Sequence, residues 1–220
     1  MITLIHPSRG RARMAAVTMQ TWINKSSTKD IQYIFSIDVD DPQLNFYKTF
    51  LKPFSGIAPE IIVSANKNLV QAIEKVPHEA IKGDIIIVVS DDFDCPKNWD
   101  SLLLNVTDNR KEFAIKINDG ITQHDNPIMT LPILSKQLFD RLGYIYYPGY
   151  IGMFADNDLF EVCDKLGAII HAPQLLFPHN HWINKKTRRD ATHNRHDNPI
   201  SWKVGQKLLD ERRQRNFDLA

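Results

Sequence analysis

Residues 83–100 read GDIIIVVSDDFDCPKNWD, and this stretch decides the fold class. The five apolar residues Ile85–Val89 follow one another without the alternation of a half-buried strand. Such a run is typical of a strand that is buried on both faces of a largely parallel sheet. It ends at three carboxylates, Asp91, Asp92 and Asp94. In open α/β sheets ligands bind at this carboxyl end of the strands.

The three acids are close enough to repel one another unless a cation neutralises them. Mg²⁺ and Mn²⁺ take oxygen ligands of this kind and usually keep open positions for phosphate oxygens. The alternative is an acidic loop or a helix N-cap, because Asp is common at both. The three acids by themselves leave both interpretations open.

The composition is that of an ordinary globular protein, with 220 residues, 43% of them hydrophobic and 24% charged. We expect one domain with a sizeable core. No apolar run approaches the roughly 20 residues of a membrane span, and the opening MITLIHPSRGR lacks the apolar core of a signal peptide. We therefore expect no stable membrane insertion and a cytoplasmic location. Cys95 and Cys163 form no CxxC pair, so reduced thiols are expected.

The formal net charge of +1 hides an asymmetry, because residues 185–220 carry ten Lys or Arg against five acids. A basic tail that faces an acidic body suits nucleic acid, an anionic lipid or the diphosphate of a substrate. A solvated helix face explains the last part of this segment equally well.

The first predicted strand, Ile2–Ile5, runs into the loop HPSRGR, after which apolar residues recur at helical spacing. Arg9 and Arg11 lie at the start of this helix, where free amides and guanidinium groups suit an anion. The loop has neither a Walker nor a GxGxxG pattern, and a capped turn with surface arginines is the alternative.

The second predicted strand, Ile31–Ile37, ends at Asp38 and Asp40. Acids in this place can accept hydrogen bonds from a nucleobase or ribose, although they also suit an ordinary turn. A third strand at Glu60–Val63 leads through a polar loop to another helix. Strand and helix alternate four times in about 100 residues, which predicts a doubly wound α/β domain.

The second half of the chain predicts further elements. Strands are expected at residues 113–117, 128–133 and 168–172, and helices at 134–142 and from 154 to Gly167. Asp156 and Asp158 near the start of the last helix could be acids favoured by the helix dipole. His179 and His181 lie two apart, so on an extended segment both point the same way and could share a metal.

In this order and context the residues resemble the GT-A glycosyltransferases, in particular the family 2 type that uses nucleotide-diphosphate sugars. The resemblance spans residues 2–185 and implies a GT-A fold, an α/β domain with a mostly parallel sheet flanked by helices. It places a nucleotide-binding half at residues 1–100 and an acceptor half at 101–184 of one glycosyltransferase domain. Residues 185–220 would form a basic C-terminal lid and a helical tail.

The resemblance also implies site residues. Asp92-Phe93-Asp94 matches the family's DxD motif, and Asp156 falls where the family has its general base, with Ala155 in place of the preceding Glu. The implied ligands of Mn²⁺ or Mg²⁺ are Asp92, Asp94, His179 and His181. The implied contacts to the nucleotide sugar are Pro7, Ser8, Arg9, Arg11, Asp38, Asp40, Asn66, Asp91, Asp92 and Lys185.

The implied activity moves a sugar from a nucleotide-diphosphate sugar, expected to be a UDP-sugar, to a hydroxyl of a glycan or other acceptor with inversion. The metal would neutralise the leaving diphosphate and Asp156 would take the acceptor proton. Two alternatives stay open. One is a metal-dependent nucleotidyltransferase, although the chain has no GxGxR-type loop near its start. The other is a non-catalytic nucleotide- or polyanion-binding protein whose basic tail contacts nucleic acid.

Overall fold

The computed structural model describes residues 1–123, 125–182, 186 and 189–219, without the side chain of His196. These residues contain one seven-stranded sheet. Its strands are β1 (Ile2–Ser8), β2 (Ile31–Asp38), β3 (Glu60–Ser64), β4 (Ile85–Val88), β5 (Ala114–Asn118), β6 (Ile133–Ser135) and β7 (Ile169–Leu176). The α-helices are α1 (Ala12–Lys25), α2 (Leu44–Phe50), α3 (Leu69–Glu74), α4 (Trp99–Thr107), α5 (Lys136–Leu142), α6 (Ala155–Lys165), α7 (Ala191–His196) and α8 (Pro199–Gln214).

The sheet has the order β3-β2-β1-β4-β6-β5-β7, and β6 runs antiparallel to both of its neighbours. The other pairings are parallel, which confirms the predicted mostly parallel α/β architecture. The central strand β4 is buried on both faces. Ile85 and Ile87 belong to one hydrophobic core, and Ile86 and Val88 belong to the other. The uninterrupted apolar run is explained by these two cores.

Helices α1 and α4 pack on one face of the sheet, where Trp22 and Trp99 meet edge to face with ring centroids 5.1 Å apart. The Trp22 ring N–H donates to the carbonyl of Phe93 at 3.1 Å. The Trp99 ring N–H donates to the carbonyl of Trp22 at 2.8 Å. The two indoles therefore fix the loop that follows β4 against α1, which orients the acids of that loop.

Three predicted strands have different limits in the structure, and the first of them, β1, continues to Ser8 instead of ending at Ile5. The strand expected at 128–133 is wrong for residues 128–132, because β6 begins at Ile133. The amide of Met129 instead donates to the carbonyl of Asp156, so this stretch is bound to the first turn of α6. Strand β7 continues to Leu176, beyond the predicted end at residue 172. Its pairing register shifts after Ala172, and a bulge there accommodates Pro173, which has no N–H to donate.

Helix α8 is packed against the body of the domain through a buried ion pair. Arg212 donates from Nε to Oδ2 of Asp158 on α6 at 2.6 Å, and both side chains are almost fully buried. The guanidinium group also lies 3.7 Å from the ring centre of Tyr147. A Cβ on Gly205 would lie 2.3 Å from the carbonyl oxygen of Met153, so the helix reaches this distance because residue 205 is glycine.

None of the helices in the described part of the chain combines the length and the apolar character that crossing a bilayer requires.

The buried pair predicts a stability difference between two arginine variants. Arg212→Leu leaves the Asp158 carboxylate buried without its partner, and we expect a loss of about 3–5 kcal/mol in the free energy of unfolding, measured with urea. Arg213→Leu removes the exposed pair with Glu161 and is expected to cost at most about 1 kcal/mol. Equal small losses in both variants would contradict the docking of α8 through Arg212.

Candidate functional site

A cleft of about 350 Å³ opens at the carboxyl ends of β1, β2 and β4. Parallel strands present their following loops together at this edge of the sheet. The structure thereby brings together most of the residues that the sequence singled out. Those that line the cleft are Pro7, Ser8, Arg9, Arg11, Asp38, Asp91, Asp92, Asp156, His179 and His181.

Asp91, in the loop that follows β4, is bound to the end of β1. One of its carboxylate oxygens lies 3.0 Å from Nε2 of the buried His6, and the Ser8 hydroxyl donates to both oxygens at 3.0 Å. The Arg11 guanidinium lies 3.8 Å away. The hydroxyl of Thr18 in α1 donates to the Asp91 carbonyl at 2.9 Å. Asp91 is thus fixed as a structural acid at the floor of the cleft.

The neighbouring Asp92 faces the segment that follows β7. The amide of Asn180 donates to the Asp92 carbonyl at 2.8 Å, and His179 Nε2 lies 3.4 Å from the Asp92 carboxylate. Burial raises the pKa of this carboxyl, but the His179 ring and the Ser90 hydroxyl outweigh burial and hold the pKa well below its usual range. Asp92 is therefore a carboxylate at neutral pH.

Asp92 forms a possible metal site with two histidines. One ligand atom each from Asp92, His181 and His193 lies within 4.8 Å of the others. Burial lowers the pKa of His181, and the nearby His179 adds to this effect, which favours the neutral imidazole that binds a metal. One carboxylate and two imidazoles suit a divalent transition metal. The residues present therefore fit a divalent metal.

The predicted metal ligand Asp94 does not join this group. Its carboxylate accepts hydrogen bonds from Lys25 Nζ at 2.6 Å and from the Cys95 amide at 2.7 Å. The intervening Phe93 is buried and its backbone pairs with that of His179. This turns Asp94 towards the end of α1, so Asp92 and Asp94 do not converge as the Asp-x-Asp pattern predicts.

The acids after β2 are bound by arginines. Asp38 is buried and accepts hydrogen bonds from Arg9 at 2.6 Å and from Arg195 at 2.9 Å. The exposed Asp40 also accepts from Arg9 at 2.6 Å, and this hydrogen bond lowers the pKa of the Asp40 carboxyl. Two arginines and the carboxylate of Asp40 thus surround Asp38 at one end of the cleft.

Two further predicted contacts lie outside the cleft lining or the described chain. The Asn66 side chain is buried, its oxygen accepts from Ser64 at 2.9 Å, and its amide nitrogen has no hydrogen-bond partner among the described residues. The Asn66 carbonyl accepts from Arg195 at 3.3 Å, so this residue lies directly behind the Asp38 end of the cleft. Lys185 falls outside the described residues.

Helix α7 and its N-cap Asp190 pack against the loop that follows β1. Arg11 donates to both carboxylate oxygens of Asp190 at 2.8 Å, and the hydroxyl of Thr192 donates to the carbonyl of Arg9 at 2.9 Å. Asp190 also caps α7 by accepting from the His193 amide at 3.0 Å. This cap and the Arg11 pair place His193 in the metal group.

Sequence reasoning missed Asp190, His193 and Arg195 as site residues. Asp190 and His193 have the spacing of a capping box. This spacing is the sequence signal that could have indicated the start of a helix here. The resemblance predicts a basic lid and a helical tail for residues 185–220. The site-forming residues of this segment contact the loop that follows β1, and no local sequence pattern reveals that contact.

Asp156 lies in the first turn of α6 on the wall of the cleft. Its Oδ1 accepts from the Asn157 amide at 3.0 Å. Burial raises the pKa of Asp156 to about 6, against the opposing effect of this amide. A carboxylate with such a pKa is ionised at neutral pH and is basic enough to accept a proton during a reaction.

Comparison with protein-family models and with curated protein sequences gives no match. Solved structures do match. The mannosyltransferase PcManGT from Pyrobaculum calidifontis, in complex with GDP-Man and Mn²⁺, aligns with a TM-score of 0.64 at 12% identity over 97% of this chain and 75% of its own. S. aureus TarS 1-349 in complex with UDP-GlcNAc aligns with a TM-score of 0.67 at 12% identity over 94% and 65%.

A third match is glucosyl-3-phosphoglycerate synthase from Mycobacterium tuberculosis, in complex with Mn²⁺, UDP and phosphoglyceric acid. It aligns with a TM-score of 0.58 at 14% identity over 96% of this chain and 78% of its own. The chain spans less than two thirds of the matched TarS chain. At these identities the matches establish the fold, and the chain has the GT-A fold of nucleotide-diphospho-sugar transferases.

The geometry predicts which acid after β4 binds metal. We expect His193→Ala and Asp92→Asn to weaken Mn²⁺ binding at least tenfold, since each removes one of three ligands, as measured by electron paramagnetic resonance with Mn²⁺ alone and with added UDP. Asp94→Asn is the matched control and should bind Mn²⁺ like the parent protein. A loss in Asp94→Asn as large as that in Asp92→Asn would show that the metal site includes Asp94 instead.

Proposed function

We propose that this protein is a metal-dependent glycosyltransferase that moves a sugar from a nucleotide-diphosphate sugar to an acceptor hydroxyl. The observation that carries the proposal is that one cleft of a GT-A fold is lined by both a candidate metal group and a candidate base. The group formed by Asp92, His181 and His193 can bind a divalent metal, and Asp156 lines the same cleft with a raised pKa.

The nucleotide is assigned to the end of the cleft near Asp38. A buried carboxylate there can accept hydrogen bonds from a ribose or a nucleobase, once Arg9 or Arg195 moves to the phosphates. The matched proteins support this class of donor, since their structures contain GDP-Man, UDP-GlcNAc or UDP. Two of these three ligands are uridine nucleotides, and we propose a UDP-sugar as donor.

The reaction makes one bond and breaks one bond at the anomeric carbon. The acceptor oxygen attacks this carbon, and the bond to the diphosphate oxygen breaks with its electron pair leaving on the nucleoside diphosphate. Asp92, His181 and His193 would hold Mn²⁺ or Mg²⁺, and the bound ion would supply positive charge to the leaving diphosphate. Arg11, which lines the cleft, adds a second cation on the same side.

Asp156 removes the proton of the acceptor hydroxyl as the new bond forms. Attack from the side opposite the leaving group inverts the configuration at the anomeric carbon. Because the raised pKa of Asp156 lies below neutral pH, the residue begins the reaction as a carboxylate and ends it as a carboxylic acid.

The pH dependence follows from this role. The base must be ionised, so we expect turnover to rise with pH through about 6 and to level off above it. Asp156→Asn should lower turnover by roughly 10²–10⁴ while leaving the binding of nucleotide unchanged. Asp164→Asn, an acid exposed on the same helix, is the matched control. Near-normal turnover by Asp156→Asn would exclude this residue as the base.

The proposed function is tested by the release of nucleoside diphosphate from UDP-, GDP- and dTDP-sugars with Mn²⁺, measured with and without a panel of glycan acceptors. We expect one donor to be consumed, the rate to rise with a suitable acceptor, and Asp92→Asn to abolish consumption. Donor binding without hydrolysis or transfer would contradict the proposal and support the non-catalytic nucleotide-binding alternative.

Several cations of the basic tail are bound within the domain. Arg195 pairs with Asp38, Arg212 with Asp158 and Arg213 with Glu161. These pairs reduce the charge that the tail offers to nucleic acid. The nucleic-acid partner and the cytoplasmic location stay predictions from the sequence.

A further inference from the structure

Trp202 in α8 lines the cleft, and the proposed chemistry gives it no role. Its side chain is 47% exposed. Trp22 and Trp99, by contrast, are fully buried in the core. A large aromatic ring left half open on the wall of a site is a common means of binding a ligand with an apolar face.

The structure places this ring in the same cleft as the proposed base. The amide of Met153 donates to the hydroxyl of Ser201 at 3.2 Å, and Gly205 lets α8 approach the Met153 carbonyl closely. The Phe154 ring meets the Trp202 ring edge to face, with centroids 5.3 Å apart. Helix α8 therefore lies on the loop that leads directly into Asp156.

The orientation of the indole is fixed by its N–H group. Trp202 Nε1 donates to Asp197 at 2.8 Å, and the Asp197 carboxylate in turn pairs with Arg189 at 3.3 Å. The polar edge of the ring is thus already bound. What the exposed ring offers to a ligand is its apolar face, whose π electrons carry partial negative charge.

We propose that Trp202 forms the acceptor subsite and stacks on the C–H face of an acceptor sugar, so that the acceptor is a carbohydrate. One face of a pyranose presents C–H groups that are apolar and slightly positive, and this face matches that of an indole. A sugar stacked on Trp202 has its hydroxyl groups at the ring edge, within the cleft that Asp156 lines. This inference rests on the proposed function, because it gives that reaction its acceptor.

A nucleobase could also stack on an indole, but the contacts favour the sugar. The nucleotide end of the cleft is formed by the loops after β1 and β2, around Asp38 and Arg9. Trp202 is instead tied to the start of α6 through Met153 and Phe154. The ring therefore belongs to the wall that carries the proposed base.

The test uses saturation-transfer NMR with the methyl glycosides of glucose, galactose, mannose and N-acetylglucosamine, with UDP and Mn²⁺ present. We expect at least one glycoside to bind the parent protein with signals from its C–H face. Trp202→Ala should weaken this binding about tenfold, whereas Trp202→Phe, which keeps an aromatic face, should retain most of it. Ile200→Ala, an exposed apolar change on the same helix, should have no effect.

Nucleotide binding is measured in the same samples, so the two proposals can fail separately. UDP should raise the melting temperature of the parent protein and of Trp202→Ala equally in the presence of Mn²⁺. If UDP binds but no glycoside does, or if Trp202→Ala binds the glycoside normally, the acceptor subsite is overturned and the proposed function stands. Loss of UDP binding in Trp202→Ala would assign the ring to the nucleotide and also overturn the subsite. Absence of nucleotide binding by the parent protein would overturn both proposals.

Discussion

The hydrogen bonds of the Asp91 carboxylate are the interaction on which the rest of the site depends. They join β1 to β4 through His6 and Ser8, and both of these partners come from the first strand. An unpaired carboxylate buried at this point would be strongly unfavourable, so the two strand ends are held in one arrangement. With Asp91 bound in this way, the next residue, Asp92, faces the cleft and reaches the histidines after β7.

Two carboxylates of the cleft have environments that push their pKa values apart. His179 and Ser90 keep Asp92 ionised, which suits a metal ligand. Burial raises the pKa of Asp156 to about 6, which suits a proton acceptor. Groups of the same chemical type thus acquire different roles from their surroundings, as is common in sites that combine charge stabilisation with proton transfer.

Patterns of neighbouring residues in the sequence predicted those parts of the fold that neighbouring residues determine. The apolar run of β4 correctly indicated a buried, mostly parallel sheet, and the acids at the ends of β2 and β4 lie where the cleft opens. Strand β6 begins later than the mainly apolar stretch 128–133 predicts, because the amide of Met129 donates to Asp156 at the start of α6. Asp94 fits the motif by spacing, yet the burial of Phe93 turns it to Lys25.

The main cleft residues that the sequence did not predict lie between residues 190 and 202. His193, Arg195 and Trp202 reach the cleft because α7 packs against the loop that follows β1 and α8 is anchored through Arg212 and Gly205. Those positions depend on contacts between residues far apart in the chain. Charge and helical spacing indicated a basic helical tail, but they carry no information about where that tail packs.

The central claim is that one cleft binds a nucleoside diphosphate together with a divalent metal. The most direct measurement is the melting temperature of the parent protein with UDP, GDP or dTDP, each with and without Mn²⁺, beside His193→Ala. A ligand that binds the native state raises the melting temperature by mass action. We expect a rise with one nucleotide that requires Mn²⁺ and is lost in the variant. A rise that is independent of both the metal and His193, or no rise with any of these nucleotides, would contradict it.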